Sequence, residues 1–552
     1  MTRGRWIAVG AAGVVVVGFI AGAVYAMGQR SITPTEAMAS PQFVEVTNDA
    51  GINHSYDGNW RYFVGGGVAA FDCDGDAIPD LYFAGGEEPA ALYRNMSTVA
   101  GPLALSAVPS PVTDLTGVTG AYPLDIDSDA VTDLVILRLG ENVLLRGLGD
   151  CAFERANEDW NFDGGDAWTT AMSATWEGNN TFPTLAFGNY VALDDKGNQT
   201  TECSNNVLVR PQDDGYTDVT PLDPSWCTLS VLFTDWDRSG GQDLRVANDR
   251  HYYRNGEEQL WNIVDGEQPS LYTRDQGWKK LQIWGMGIAS NDVTGDGYPE
   301  VYLTSQGDNK LQSLTDGSDE PLYGDIAIRR GVLAHRPYTG GDVMPSTAWH
   351  PEFQDVNSDS FMDLYVSKGN VDAMPEFAAK DPNNLFLGQP DGTFVEAADS
   401  AGTVHFARTR GAALVDLNLD GMLDLVEVNR VENVKTWRNL GWGTADDPQQ
   451  MGNWIAVELS QPSTNRDAVG SWIEVSIGDR TIIREVMVGG GHAGGQLGWS
   501  HFGLGPATRA EVRVIWPDDE EGPWMPVDAN QFITITRGDD RPSSVLPSGG
   551  TS

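Results

Sequence analysis

The chain has 552 residues, with 35 Lys and Arg against 78 Asp and Glu, a formal net charge of −43. That excess is spread along the whole chain and repels nucleic acid, which excludes the DNA- and RNA-binding classes. A hydrophobic fraction of 41% with 18 Trp, 16 Tyr and 18 Phe excludes a disordered acidic polymer.

Arg3 and Arg5 precede an uncharged, mostly apolar run over residues 6–27. A run of this length spans a bilayer as a helix, and the arginines before it favour a cytoplasmic N-terminus. It reads as a signal anchor, with a signal peptide cleaved after Ala23 or Ala26 as the alternative. Either way the bulk is exported, to the periplasm, the cell surface or the extracellular space. It is membrane-anchored in the first case and secreted in the second. Four cysteines, Cys73, Cys151, Cys203 and Cys227, form an even set for an oxidising compartment. Cys203–Cys227, the nearest pair in sequence, is the favoured disulfide. Asn95, Asn179 and Asn198 begin N-x-S/T sequons.

One pattern then returns along the chain. An apolar run leads into a nine-residue loop with oxygen-bearing residues at positions 1, 3, 5 and 9, and a second apolar run leads out. The first copy has Asp72, Asp74, Asp76 and Asp80; the second has Asp125, Asp127, Asp129 and Asp133. Later copies have Asp235, Asp237, Ser239 and Asp243, then Asp292, Thr294, Asp296 and Glu300. The last two have Asp355, Asn357, Asp359 and Asp363, and Asp416, Asn418, Asp420 and Asp424. A seventh copy fills the long gap after the second. Its positions read Trp176, Gly178, Asn180 and Thr184, so it keeps the backbone pattern and lacks the carboxylates.

The copies start at 72, 125, 176, 235, 292, 355 and 416, a period of 51–63 residues. This suits a four-stranded propeller blade with its loops. Segments 92–95, 144–146, 385–387 and 436–439 read as third strands, and 393–396 as a fourth after the Pro390-Asp391-Gly392 turn. Residues 43–47 resemble a fourth strand that precedes the first motif, while the seventh repeat lacks one. The spacing therefore predicts ring closure, with the N-terminal strand completing the last blade.

Carboxylates at positions 1, 3, 5 and 9 converge on one point, and a backbone carbonyl at position 7 adds to them. Hard oxygen donors in a tight turn suit Ca²⁺ better than Mg²⁺. Transition metals call for His or Cys, which no ligand position carries. Six loops in one register are expected to hold about six Ca²⁺ sites, at least three of them filled. Loops one, two, six and seven are the stronger candidates. Each ion would tie two strands and neutralise crowded carboxylates.

Residues 453–537 alternate apolar and polar side chains, as in Ile473-Glu474-Val475-Ser476-Ile477, and read as a small β-sandwich. Asn465-Arg466-Asp467 reads as a turn fixed by side-chain hydrogen bonds. The repeats resemble FG-GAP/VCBS repeats, which implies an integrin-α-type propeller. Asn453-Trp454-Ile455-Ala456-Val457, Ser463-Thr464-Asn465-Arg466-Asp467, His501-Phe502-Gly503-Leu504-Gly505 and Val512-Arg513-Val514-Ile515-Trp516-Pro517 resemble the ASPIC/UnbV domain of the cartilage acidic protein-like family. The resemblance implies an all-β fold, seven blades over 31–445, an ASPIC/UnbV-like domain over 446–540 and a flexible tail over 541–552.

Gly489, Gly491 and Gly494 match G-x-G-x-x-G, but no βαβ unit surrounds them, so a turn is the better reading. There is no HExxH, GxSxG or P-loop motif, and none of the seven His pairs at ligand spacing. His501 reads as a packed strand residue. Arg537-Gly538-Asp539 reads as a chance tripeptide in a Gly- and Asp-rich chain. The expected function is an exported calcium-binding propeller for adhesion or interaction, with a protein or glycan ligand and no nucleic acid. The alternatives are a polysaccharide-acting enzyme on the same scaffold, and a subunit of a membrane-anchored envelope assembly.

Overall fold

The computed structural model describes residues 36–545 apart from 179, 213–214, 250–255, 316, 318–319, 334–344, 372–377 and 379. The apolar run over 6–27 and the sequon at Asn179 lie outside the described residues. Among the described residues no helix is long and apolar enough to cross a membrane.

The regular structure of the described residues is nearly all strand. Seven four-stranded antiparallel sheets, here I to VII, come first. Their first strands are Val68–Phe71, Val118–Leu124, Thr169–Thr175, Thr228–Thr234, Gly285–Asn291, Ala348–Gln354 and Arg408–Val415. Each acidic loop joins a first strand to a second, and its ninth residue opens that second strand. Asp80–Phe83, Asp133–Arg138, Asp243–Asn248, Glu300–Ser305, Asp363–Lys368 and Asp424–Arg430 all begin this way. The expected third strands are found as Ala91–Asn95, Val143–Gly147, Asn384–Gly388 and Lys435–Asn439. Phe394–Glu396 is the fourth strand of sheet VI.

First strands of successive sheets pack on one another from I to VII, and the first strand of VII returns to that of I. The arrangement is propeller-like and closed. Closure is made by Phe43–Glu45, which pairs with Lys435–Asn439 through Phe43–Asn439, Val44–Arg438 and Glu45–Trp437. The N-terminal strand therefore completes the last sheet, as its position in the sequence implied. First strands II to VII carry a register shift near their start, which adds local twist. Two disulfides, Cys73–Cys151 and Cys203–Cys227, account for all four cysteines. The first ties loop I to sheet II. Such bonds belong to an oxidising, exported environment.

After the ring come two further four-stranded sheets. One orders Ser500–Gly505, Asn453–Ser460, Gln531–Thr536 and Ser543–Val545; the other orders Arg480–Glu485, Trp472–Ile477, Arg509–Ile515 and Met525–Asp528. Ile455, Val457 and Leu459 of one share a buried core with Ile473, Val475, Val512 and Val514 of the other, so the domain is a sandwich. Ser543–Val545 pairs with Phe532, Ile533 and Thr534, so the sheet runs past the boundary expected at 540 and into the supposed tail.

The glycine-rich segment is not an ordinary turn. Residues 488–496 lie along the first strands of the ring and form bridges from Val488 to Ala174, Gly489 to Leu232, Gly491 to Ile288, Gly494 to Ala121 and Gln496 to Ala70. A Cβ on Gly67 would lie 1.7 Å from the Ala493 carbonyl oxygen, and one on Gly120 2.0 Å from it. Glycine on both sides lets backbone meet backbone at the ring centre. Sequence periodicity carried no sign of this, because the partners are up to hundreds of residues away.

Candidate metal centres and the C-terminal domain

The six acidic loops share one backbone. Position 4 has positive φ in every one: Gly75, Ser128, Arg238, Gly295, Ser358 and Leu419. So does position 6: Ala77, Ala130, Gly240, Gly297, Ser360 and Gly421. Five of the six loops hold a non-glycine residue in the left-handed region, the exception being loop V with Gly295 and Gly297, which marks a shape imposed by common contacts.

Those contacts are carboxylates turned inward. Asp72 accepts from the backbone N–H of Gly75 at 2.8 Å and Ala77 at 2.7 Å. Asp125, Asp355 and Asp416 accept equivalently from Ala130, Ser360 and Gly421 at 2.7–2.9 Å. The ninth residue staples the loop to the sheet. Asp80 accepts from Cys73 N at 2.8 Å and Asn95 N at 2.6 Å. Asp133 accepts from Ile126 N and Gly147 N, Asp363 from Val356 N and Gly388 N, and Asp424 from Leu417 N and Asn439 N.

Loops I and II gather their acids most closely. One oxygen from each of Asp72, Asp74 and Asp80 lies within 4.8 Å of the others, as for Asp125, Asp127 and Asp133. In loops VI and VII, burial and mutual repulsion push Asp355, Asp363, Asp416 and Asp424 well above the usual carboxyl range. Burial likewise pushes Asp80 and Asp133 up to about 8, and Asp125 and Glu300 to about 7. Buried like charges of this kind stay ionised at neutral pH only beside a cation. The donor set is all oxygen, which fits Ca²⁺. In loop VII the fully buried Asn418 keeps its Oδ1 without a hydrogen-bond partner while its amide donates to Asp420 Oδ2 at 3.1 Å. That is an orphaned donor atom for a metal inside the loop.

Loops IV and V fit less well. Asp243 gives one oxygen to Trp236 Nε1 at 2.7 Å and Tyr272 Oη at 2.8 Å and the other to Ile263 N. Asp237, Ser239, Asp292 and Asp296 stand in the same loop frame. Thr294 Oγ1 donates to Glu300 Oε1 at 3.0 Å, so that hydroxyl is turned toward the ninth position. Asp76, Asp129, Asn357 and Asp359 occupy the expected loop positions in I, II and VI. Loop III departs from expectation. Its strands are kept, but its positive φ falls at Gly178, position 3, and Thr184 Oγ1 has no partner. Trp176, Gly178 and Thr184 assemble no oxygen cage. Instead Glu177 forms a bidentate pair with Arg210, Oε2 to Nε at 2.7 Å and Oε1 to Nη2 at 2.9 Å. The pair is buried, with side chains 7% and 9% exposed. Glu177→Gln is expected to cost about 2–3 kcal/mol, because the guanidinium keeps its burial and loses its counter-charge. Urea unfolding measures it.

The sandwich sits on these loops. Trp472 Nε1 donates to Asp235 Oδ2 at 3.0 Å, and Asp235 N donates to Glu485 Oε1 at 2.9 Å. Arg238 pairs with Glu474 at 2.9 Å. Trp499 Nε1 donates to Ala77 O at 3.0 Å, His501 Nε2 to Gly421 O at 3.1 Å, and Gly505 N to Ser358 O at 2.9 Å. The domain thus reads loop carbonyls at positions 4 and 6. None of these partners was legible in the sequence, since each depends on docking. Asn465 closes its own turn through Val469 N–H and C=O, both at 2.8 Å, as expected.

Residues 461–542 match the family "ASPIC and UnbV". That match covers the C-terminal domain of the chain, the sandwich, and not the ring. Mouse cartilage acidic protein 1 is 28% identical over 265 residues, which cover 37% of this chain and 41% of that protein. The human protein is 27% identical over 265 residues, covering 37% and 40%. The chain spans about two fifths of the length of these curated relatives. Among solved structures, BBS1N in complex with ARL6DN covers 75% of this chain and all of that chain, at 11% identity and a TM-score of 0.40. An Agrocybe aegerita lectin that recognises non-reducing terminal N-acetylglucosamine covers 69% and 78%, at 16% identity and a TM-score of 0.30. Likeness at these scores carries no functional weight.

The ASPIC/UnbV domain also supplies the two buried histidines of the docking surface. His492 Nε2 accepts from Gly65 N at 3.1 Å, while its Nδ1 faces Met286 O at 3.1 Å. A backbone N–H only donates and a carbonyl only accepts, so the ring is neutral with its proton on Nδ1. Burial pushes its pKa down to about 3, and that of His501 down to about 4. Unfolded histidine protonates near pH 6.5, so stability is present above that value and is lost as pH falls toward 3–4. With Ca²⁺ saturating, stability is expected to drop by about 1.4 kcal/mol per pH unit per histidine below pH 6.5. Melting curves from pH 7 to 5 measure the slope, which His501→Gln should roughly halve.

Three minor expectations also meet the structure. Asn95 is buried and donates to Pro79 O and Leu417 O, both at 2.8 Å, so its sequon is closed to modification in the folded chain. Asn198 is exposed, with its amide donating to Asp194. Arg537 is held by Asp518 at 2.6 Å, not offered as part of an adhesive tripeptide.

Proposed function

We propose that the chain is an exported, calcium-stabilised, seven-bladed propeller of the FG-GAP/VCBS, integrin-α type that serves as a protein- or glycan-binding module. The single observation that carries this reading is the set of six acidic loops with left-handed residues at the same two positions, at one end of the ring, beneath a docked second domain. Calcium in those loops ties first and second strands and keeps buried carboxylates ionised. The loop end is taken by the ASPIC/UnbV domain. The opposite end is therefore the recognition face. Trp168 leads into its first strand at that end, and Trp60, 43% exposed, packs edge-on against it with ring centroids 5.9 Å apart. Residues 6–27 anchor the module in a membrane, and a larger envelope assembly is one setting for it. No catalytic role is assigned.

The experiment is calcium titration by calorimetry, followed by pull-down from membranes. Binding of three or more Ca²⁺ and co-recovery of one partner, lost on Trp60→Ala, is the expected result. Absence of calcium binding would sink the calcium part. Turnover of any member of a polysaccharide panel would replace the binding module with an enzyme.

A further inference from the structure

The third strand of each sheet places one residue beside the ninth loop position. It stands one step beyond the pairs Leu81–Tyr93, Leu134–Leu145, Leu185–Val209 and Leu425–Trp437. In these four sheets that residue is Arg94, Arg146, Arg210 or Arg438. In IV, V and VI the equivalent step beyond Leu244–Trp261, Val301–Gln312 and Leu364–Phe386 reaches Asn262, Ser313 and Leu387.

Each arginine turns into its own loop. Arg94 Nη2 lies 2.5 Å from Asp74 Oδ2, whose side chain is 2% exposed. Arg146 Nε lies 3.1 Å from Asp127 Oδ2, and Arg438 Nη2 3.7 Å from Asp420 Oδ2. In sheet III, where the loop has no carboxylate at positions 1, 3, 5 or 9, Arg210 is clamped by Glu177 and also donates to Val264 O at 3.1 Å and Glu267 O at 2.5 Å.

Resting on the calcium reading above, we propose that this arginine is a built-in counter-cation. It weakens divalent-cation binding at loops I, II and VII, and in sheet III it has replaced the cation. The physics is direct. The Arg94 and Arg146 guanidiniums occupy a position-3 oxygen that the metal needs, and the Arg438 guanidinium, 3.7 Å from the position-5 carboxylate, repels the ion through space. The same charge holds the loop together when no metal is present. In sheet III the loop has no carboxylate cage, and the arginine with one glutamate ties the loop to the third strand. Affinity is then set by two opposed quantities, the number of carboxylates and the presence of the arginine, and not by carboxylate count alone. Loop VI has Leu387 at this position, and the Arg480 charge that faces its Asp355 and Asp359 comes from the ASPIC/UnbV domain.

The test uses the full chain in detergent, with Ca²⁺ alone as the probe, by calorimetric titration. Arg94→Met, Arg146→Met and Arg438→Met are made singly, so that one misfolded variant leaves two. Each is expected to tighten one site by about tenfold, the size of removing one nearby positive charge at a partly solvated site. Arg94→Lys keeps the charge and stays within about twofold of the parent by the same reasoning. Arg509→Met, at an exposed pair with Asp528, changes nothing. The double variant Glu177→Gln, Arg210→Met neither gains nor loses a site. Unchanged or weaker calcium binding in folded methionine variants overturns the proposal and leaves the calcium reading standing. Loss of a site in the double variant overturns the assignment to sheet III. A parent chain that binds no Ca²⁺ overturns both readings together.

Discussion

Stripping calcium is expected to destabilise this chain more than any single substitution. A site at a hundred times its dissociation constant contributes about 2.7 kcal/mol, so three filled loops contribute about 8 kcal/mol. That is comparable with the whole stability of an ordinary domain, about 5–15 kcal/mol. The mechanism is local. Asp80, Asp133, Asp363 and Asp424 each bind backbone N–H groups of both the loop and the third strand. When the ion leaves, neighbouring buried carboxylates repel, and these staples are strained first. The docked domain should feel it next, because Trp472, Trp499, His501 and Gly505 bond directly to the loops. Melting curves with Ca²⁺ and with chelator measure the effect. Faster proteolysis between residues 440 and 453 in chelator would report loss of docking. Equal melting temperatures in the two conditions would refute the idea.

Gly67→Val should be the most damaging single change. Its Cβ would stand 1.7 Å from the Ala493 carbonyl oxygen, against backbone that has nowhere to go. Gly67 has no positive φ, so the cost is steric alone. Overpacking of rigid contacts costs about 1–3 kcal/mol or more, and here the bridges between Ala70 and Gln496 and between Ala121 and Gly494 flank the clash. The expected loss is about 4 kcal/mol, with new protease cleavage within residues 487–499. Gly324→Ala is the control, since its Cβ would meet nothing nearer than 3.8 Å. A Gly67→Val chain that melts like the parent would remove the central segment from any role in holding the ring.

Much of the site was legible in the residues alone. Spacing at 1, 3, 5 and 9 picked out six loops that share the same left-handed positions, because the shape of a turn is a local property of nine residues. The missing fourth strand of the last repeat pointed to Phe43–Glu45 because a ring leaves no free edge. The favoured Cys203–Cys227 disulfide was right. Loop III was read well for its lost carboxylates and poorly for its backbone. Its replacement partner, Arg210, lies on another strand at a distance the motif did not encode.

The remainder was decided only in three dimensions. Gly489-Gly490-Gly491-His492-Ala493-Gly494-Gly495 looks like a flexible turn, because glycine signals permitted conformations and not a destination. Its destination, the ring centre, follows from the small residues Gly67 and Gly120 on strands over 350 residues earlier, and from hydrogen bonds of His492 to Gly65 and Met286. Arginine on the third strands carries no motif, and its register against the loops exists only once sheets form. The sequence by itself determined the repeated strands, the acidic loops and the closing strand, since each is written in short-range spacing. Tertiary structure decided which loops carry a counter-cation, which face the ASPIC/UnbV domain covers, and what fills the centre. Those depend on which distant backbones come within a few ångströms of one another.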